Sequence, residues 1–353
     1  MLNRSLIVVA TLAAAMVIGA ANADSTPKVQ FGVCPFDLVE WSNGACDING
    51  NPISFTMPLN GKARWAILST HTHDPNQQIS YYLNGAEKPA GSFQALVANK
   101  TATQVIDFGQ FPTTVKFLAE QPVPDPGGMS GRRFSRIGHV EFLATNPGTN
   151  LAAGAPNGGT TSDAAAAYAI ANQGPGFTAT AFGTGGNPQG MFDSMDYTDN
   201  GGPIWRANEN AVENYVGVVF NEVVAVEALR ISVTEGLDTY RWLNFDVQVQ
   251  VTVGGGWETI GRADQVLSED GKLWTDQVNK VDTRYLWIAM DGMEIAGVRL
   301  YGADDGESIG NNPRDMGGRF LAELQVWSGP PVPEPAAMTL LALGGLAMLR
   351  RRK

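Results

Sequence analysis

The side chains with obvious reactive chemistry are few and scattered. Three histidines occur in 353 residues. His71-Thr72-His73-Asp74 sets two imidazoles at i and i+2, which project from one face of a strand as a metal pair would. No further histidine or cysteine lies close by, and Asp74-Pro75-Asn76 reads as a turn, so the stretch is expected to be a polar strand end. His139 sits in a strand pattern with no acid partner assigned to it and is expected to be structural. Ser130, in Gly-Gly-Met-Ser-Gly-Arg-Arg, lacks the Gly-x-Ser-x-Gly elbow. Acid pairs such as those in Asp304-Asp305-Gly306-Glu307 fall in loops, where carboxylates are solvated charge unless two face each other across a cleft. Gly306, Gly310, Gly317 and Gly318 open no helix carrying Lys-Ser/Thr, so they form no phosphate cradle. The expectation is a noncatalytic protein.

The two cysteines, Cys34 and Cys46, lie close together in the sequence. In an oxidising compartment a bridge between them would close a small loop. Two free thiols are the alternative, because spacing alone does not fix Cα geometry.

The two ends point to that compartment. Arg4, the apolar run Leu6 to Ala20 and the small-x-small triplet Ala21-Asn22-Ala23 form an export leader that signal peptidase would remove. The last residues read VPEPAAMTLLALGGLAMLRRRK, an apolar segment barely long enough to cross a hydrocarbon core, with cations at its end. Setting aside the cations at both ends and Glu334 leaves 19 cations against 34 acids, a body near −15. Such a surface opposes phosphate backbones, so nucleic acid is excluded as a partner.

Those residues must be positioned by strands. Gly, Pro, Asn, Asp and Thr punctuate short β-branched and aromatic runs throughout, the pattern of an all-β chain. Strands are predicted at residues 215–220, 228–234, 245–253, 285–290, 297–301 and 320–327. In FDVQVQVTV, Val247, Val249, Val251 and Val253 are expected to share a core face and Gln248, Gln250 and Thr252 a wet one. The Gly-Gly-Gly at 254–256 supplies a tight reversal before Trp257. GHVEFLATNPG, from Gly138, looks like AELQVWSGPP, from Ala322. Each follows an apolar-cation-apolar triplet, Val115-Lys116-Phe117 and Val298-Arg299-Leu300, and a Gly/Pro/Arg-rich loop. This suggests two related sandwiches meeting near Asn150.

Residues 150 to 328 resemble the discoidin-like, galactose-binding-like jelly roll. The carriers, in order, are NLAAGAPNG, MFDSMDYTDNGGPIW, YVGVVFNEVVAVEALRISV, FDVQVQVTVGGGWETIG, GVRLYG and RFLAELQVWSG. Residues 50 to 145 look like a shorter version. The resemblance implies a structural calcium held by Asp196 or Asp199 together with Glu323, oxygen ligands of the kind calcium takes. The acids Asp193, Asp196 and Asp199 without an Asp-Gly pair leave that choice open. It also puts Trp205, Arg206 and Asn208 near the loop end where such modules bind ligands. Aromatic faces there would pack on sugar rings while polar side chains take hydroxyls. Trp257 and Trp327 match hairpin and core positions.

The end of the chain resembles the PEP C-terminal sorting signal of exosortase substrates, in Pro333-Glu334-Pro335, the apolar stretch 336–349 and Arg350, Arg351, Arg352 and Lys353. The resemblance implies transient anchoring in the bacterial inner membrane, cleavage by an exosortase-type enzyme, and a destination at the cell surface or extracellular matrix. The expected chain is therefore a signal peptide (1–23), a first β-sandwich (24–149), a discoidin-like jelly roll (150–329), a Pro-rich linker with the motif (330–335), a hydrophobic sorting helix (336–349) and a basic cytoplasmic end (350–353). Its expected work is polysaccharide binding. An adhesive matrix role without a sugar site is the alternative, and glycan hydrolysis a more distant one.

Overall fold

A computed structural model of the chain describes residues 29–42, 54–72, 78–94, 100–119, 135–153, 177–184, 188, 192, 205–206, 213–232, 245–263, 285–303, 320–321 and 323–330. These residues are strands and turns throughout, and among them no helix is long and apolar enough to cross a membrane. The first strands are β1 (Gln30–Phe31), β2 (Leu38–Ser42), β3 (Ser54–Pro58), β4 (Trp65–Thr72), β5 (Gln78–Leu83), β6 (Gly91–Gln94), β7 (Lys100–Asp107), β8 (Thr114–Ala119) and β9 (Ser135–Leu143). Two antiparallel sheets follow, β2-β9-β4-β7 and β3-β8-β5-β6.

Alternation makes these sheets a sandwich. In β3 only Phe55 and Met57 turn inward, as a period of two requires. They meet Leu68, Val115, Phe117, Val140 and Phe142 in one core. The Phe117 ring lies 6.4 Å from both Phe55 and Phe142, joining the two sheets. Each such buried side chain stabilises the fold by about 1.5–3 kcal/mol. Asn84-Gly85, both at positive φ, turn the chain from β5 toward β6, a conformation that Asn and Gly adopt with least cost.

The second half contains β10 (Ala179–Gly183), β11 (Trp205–Arg206), β12 (Glu213–Ser232), β13 (Phe245–Gln250), β14 (Glu258–Ala263), β15 (Tyr285–Ala303), β16 (Phe320–Leu321) and β17 (Glu323–Trp327). Its main sheet runs β10-β12-β15-β13-β14, with β17 on β12 and β1 on β15. The strands predicted at 215–220 and 228–234 are one strand, β12, and those at 285–290 and 297–301 are one strand, β15. Register shifts between Val219 and Val224 and between Val226 and Ala228 let the β12–β15 pair bend without breaking. Val216, Val218 and Leu300 from one part of the ladder and Leu229, Ile231 and Ile288 from the other then close on a single core.

The alternation in FDVQVQVTV holds only to Val249, and Gln250, expected on the wet face, is buried. Val247 and Val249 are buried, but Val251 and Val253 are exposed. The chain has already entered its turn there, with the Gly255 N–H donating to the Thr252 carbonyl at 2.9 Å and Gln250 Nε2 to the Gly255 carbonyl at 2.6 Å.

The two sandwiches share structure. Gln30 and Phe31, within the segment assigned to the first sandwich, pair instead with Ala289 and Ile288 of β15. A Cβ added at Gly261 would run into the Phe31 ring, so the absent side chain makes the space that Phe31 fills. Phe36, Ile67 and Leu143 pack with Ala228, Trp287 and Trp327 in a third apolar cluster. The segment around Asn150 is no loose linker: Leu151 donates to the Val326 carbonyl at 2.7 Å and Val326 N–H to Asn150 Oδ1 at 2.9 Å.

Candidate functional site

Pro333, Glu334, Pro335, Arg350, Arg351, Arg352 and Lys353 lie outside the described residues, as do Asp196, Asp199, Asn208 and Cys46. Trp205 and Arg206 form β11, whose backbone pairs with Leu321 and Phe320 of β16. The partner of Trp205, Leu321, stands two residues before Glu323, which is fully buried opposite Ser232 at the start of β17. Among the described residues no group of three histidine, cysteine or carboxylate side chains gathers. Cys34 packs on the third apolar cluster, where burial, with Glu141 adding to it, pushes its thiol far above the ordinary range.

The most buried polar residues lie where the sandwiches meet. Arg230 Nε donates to Glu141 Oε2 at 2.8 Å, and the two side chains are only 1% and 2% exposed. Arg230 also donates to Gln325 Oε1 at 3.2 Å, Gln325 to Thr103 Oγ1 at 3.2 Å, and Trp287 Nε1 to Glu141 Oε1 at 3.0 Å. Glu141 and Gln325 occupy matching positions in the two similar stretches GHVEFLA and AELQVWSG, and one arginine ties them together. His139 is structural, as expected, but it has an acid beside it: its Nε2 is 3.7 Å from Glu141 Oε1, and its ring stacks on Tyr285 at 4.2 Å. With Arg230, Glu141 and His139 all only 1–2% exposed, the cluster joins the two halves of the body.

A different cluster stands half-exposed on the second sandwich. Because Val216, Val218, Val298, Leu300, Val247 and Val249 point into the core, their neighbours Tyr215, Arg299, Tyr301 and Gln248 must share the other face of the sheet. The Arg299 guanidinium lies 5.2 Å from the Tyr215 ring centre, 4.7 Å from Trp257 and 5.0 Å from Tyr301. Phe182, on neighbouring β10, approaches Trp257 at 5.4 Å and Tyr215 at 5.8 Å. Arg299 Nε donates to Gln248 Oε1 at 2.7 Å, and Gln248 Nε2 to Thr259 Oγ1 at 3.0 Å. Partial burial draws the Arg299 pKa down, while Tyr301, Tyr215 and Glu213 oppose that shift. A hydrogen bond with Glu213 raises the Tyr301 phenol. Two glycines clear the ground: a Cβ at Gly217 would strike the Arg299 stem at 2.6 Å, and one at Gly297 would meet Trp257 at 3.3 Å.

The sequence did not reveal this cluster. It assigned Trp257 to a hairpin and left Arg299 between two core residues. Outward projection of Arg299 follows from the apolar residues on either side, but its neighbours on β12 and β13 are fixed only by strand register.

Antiparallel sheets folded into sandwiches define an all-β protein, and its tail carries a sorting motif. Residues 331–353 match the PEP-CTERM protein-sorting motif. No curated protein sequence matches the chain. Among solved structures it is similar to a family 32 carbohydrate-binding module from Clostridium perfringens in complex with galactose, at 12% identity over 43% of this chain and 93% of that one, TM-score 0.29. It is also similar to a fucose binding module from Streptococcus pneumoniae, at 17% identity over 43% and 93%, TM-score 0.30. A third similar structure is a module of a family 31 glycoside hydrolase from Clostridium perfringens, at 11% identity over 42% and 88%, TM-score 0.31.

Proposed function

We propose that this is an exported, noncatalytic protein, cleaved near Pro333-Glu334-Pro335 by an exosortase-type enzyme and delivered to the bacterial cell surface or extracellular matrix, where its body holds a polysaccharide. The sorting motif at 331–353 carries the reading. It joins an export leader at one end to a marginal, cation-stopped apolar segment at the other, the arrangement of a protein held in a membrane only until it is processed. The acidic body and aromatic surface suit a soluble binding role outside the cytoplasm. Mass spectrometry of exported material should find chains that lack Arg350 to Lys353, and intact basic ends on released protein would refute the processing step. Retained binding to a glycan array, with no turnover of the bound glycans, supports the binding role; turnover would replace it with catalysis.

Calcium belongs to the same proposal. Glu323 supplies a buried oxygen donor, the chemistry calcium takes, and Asp196 or Asp199 would complete the set with backbone carbonyls. Added chelator should then lower the thermal midpoint and added calcium restore it; an unchanged midpoint would remove the ion from the account.

A further inference from the structure

We propose that the Arg299 cluster is a glycan subsite for a carboxylate-bearing pyranose, a uronate unit of a polysaccharide. The proposal rests on the polysaccharide reading of the function and adds the place and the chemistry. Among the described residues Arg299 has no carboxylate within ion-pair distance, and Glu213 acts on it only through space. In the sheet register its neighbours are Gln248 on β13, a neutral amide, and Gly217 on β12, which has no side chain. Two acids stand close by, yet both are engaged elsewhere: Glu213 bonds the Tyr301 hydroxyl, and Asp246 lies 3.7 Å from Arg262. Of the five N–H groups on a guanidinium, the one on Nε goes to Gln248. The terminal nitrogens of Arg299 have no acceptor among the described residues, although acids outnumber cations 35 to 24 in the chain.

What surrounds this charge is suited to a sugar. Tyr215, Trp257 and Tyr301 hold the guanidinium among half-buried rings, where water competes less for it. The forked N–H groups match a carboxylate with two parallel bonds. The Trp257 ring beside it offers an apolar face for the C–H side of a pyranose. Gln248 and Thr259 add donors and acceptors for ring hydroxyls. A cluster serving only to stabilise the sheet would be better completed by a carboxylate at position 248 or 217. The net negative body disfavours a densely charged phosphate polymer, whose binding needs many cations, but one carboxylate per sugar needs only the single fork present here.

The test uses full-length protein purified in mild detergent, titrated with galacturonate, glucuronate and mannuronate oligosaccharides and with their neutral galactose, glucose and mannose counterparts, followed by tryptophan fluorescence and calorimetry. At least one uronate series should bind more tightly than its neutral counterpart. Arg299→Gln should weaken that binding about tenfold or more and erase the preference for the acid, as loss of a charge-assisted pair does. Arg299→Lys should recover only part of it, because the fork is lost while the charge stays. Trp257→Phe should weaken both series and Trp205→Ala neither, with thermal midpoints reported for every variant to separate binding loss from unfolding. Equal uronate binding by wild type, Arg299→Gln and Trp257→Phe would overturn the subsite. Binding lost only in Trp205→Ala would leave the polysaccharide role standing and remove this site. Failure of the wild-type protein to bind any glycan would end both.

Discussion

Arg230→Met is the sharpest perturbation the fold offers. The substitution keeps most of the side-chain volume at the junction but removes the 2.8 Å bond from Arg230 Nε to Glu141 Oε2. Glu141, 1% exposed as a residue, then retains Trp287 Nε1 at 3.0 Å and His139 Nε2 at 3.7 Å. Removing one member of a buried ion pair costs about 3–5 kcal/mol, because the other is left charged and desolvated. Against a typical stability of about 5–15 kcal/mol, that is a large fraction of what holds a domain together. Exchanging both members, Arg230→Met with Glu141→Leu, should recover about 2 kcal/mol of the loss, since only neutral donors are then orphaned. Urea unfolding followed by tryptophan fluorescence would give the three values.

The pH dependence gives a second reading of the same pair. Burial pushes the Glu141 carboxyl up, but Arg230, with His139 and Trp287, outweighs it and holds the group below its ordinary value of 4.5. A lowered folded pKa contributes stability above the unfolded value, lost as pH falls through the folded one. In Arg230→Met burial dominates, the carboxyl rises, and the variant's deficit should be greatest at neutral pH and shrink toward about pH 5. A single variant costing under about 1 kcal/mol, a double variant no better than the single, or a deficit independent of pH would refute the reasoning.

Three other changes have defined outcomes. Gly148 sits at φ +75, and a Cβ there would overlap the Gly329 backbone, so Gly148→Ala should cost at least about 2 kcal/mol in urea unfolding; a neutral result would mean that the segment does not lie against the last strand. Trp287→Phe keeps a ring against Phe36 but removes the donor to Glu141; it should cost about 1–3 kcal/mol, and less in a Glu141→Leu background. Reduced Cys34 should be alkylated at least about tenfold more slowly in the native protein than in denaturant, since burial and Glu141 disfavour its thiolate. Equal rates would refute that environment, and a linked Cys34–Cys46 peptide from unreduced protein would establish the bridge.

Much of the fold was legible in local pattern. The alternation at the start of β13 named Val247 and Val249 as inward residues, and the similarity of GHVEFLA to AELQVWSG pointed at two strands that do meet through Arg230. Alternation failed at Val251 and Val253, where β propensity continues past the last paired residue and the glycine turn decides the chain path. The unity of β12 and of β15 was hidden because bulges and the positive-φ pair Asp291-Gly292 look like turns when no partner strand is visible. The candidate site was less legible still. Lys116 and Arg299 stand in equivalent apolar-cation-apolar triplets, and each overlies an aromatic ring. Only at Arg299 does cross-sheet register gather several rings, and register is a property of pairs of segments, not of either alone.

The pairing of Gln30 and Phe31 with Ala289 and Ile288 bears on how this protein can leave a cell. A chain that emerges from its N-terminus cannot seat that strand until the start of β15 has followed it, and Glu141 likewise waits for Arg230. Contacts of such long sequence separation form slowly. The body thus stays unfinished until late in the emergence of the chain and closes only then. Throughout that interval unpaired strand edges are exposed and can find one another, so late closure makes crowding of incomplete molecules the main hazard.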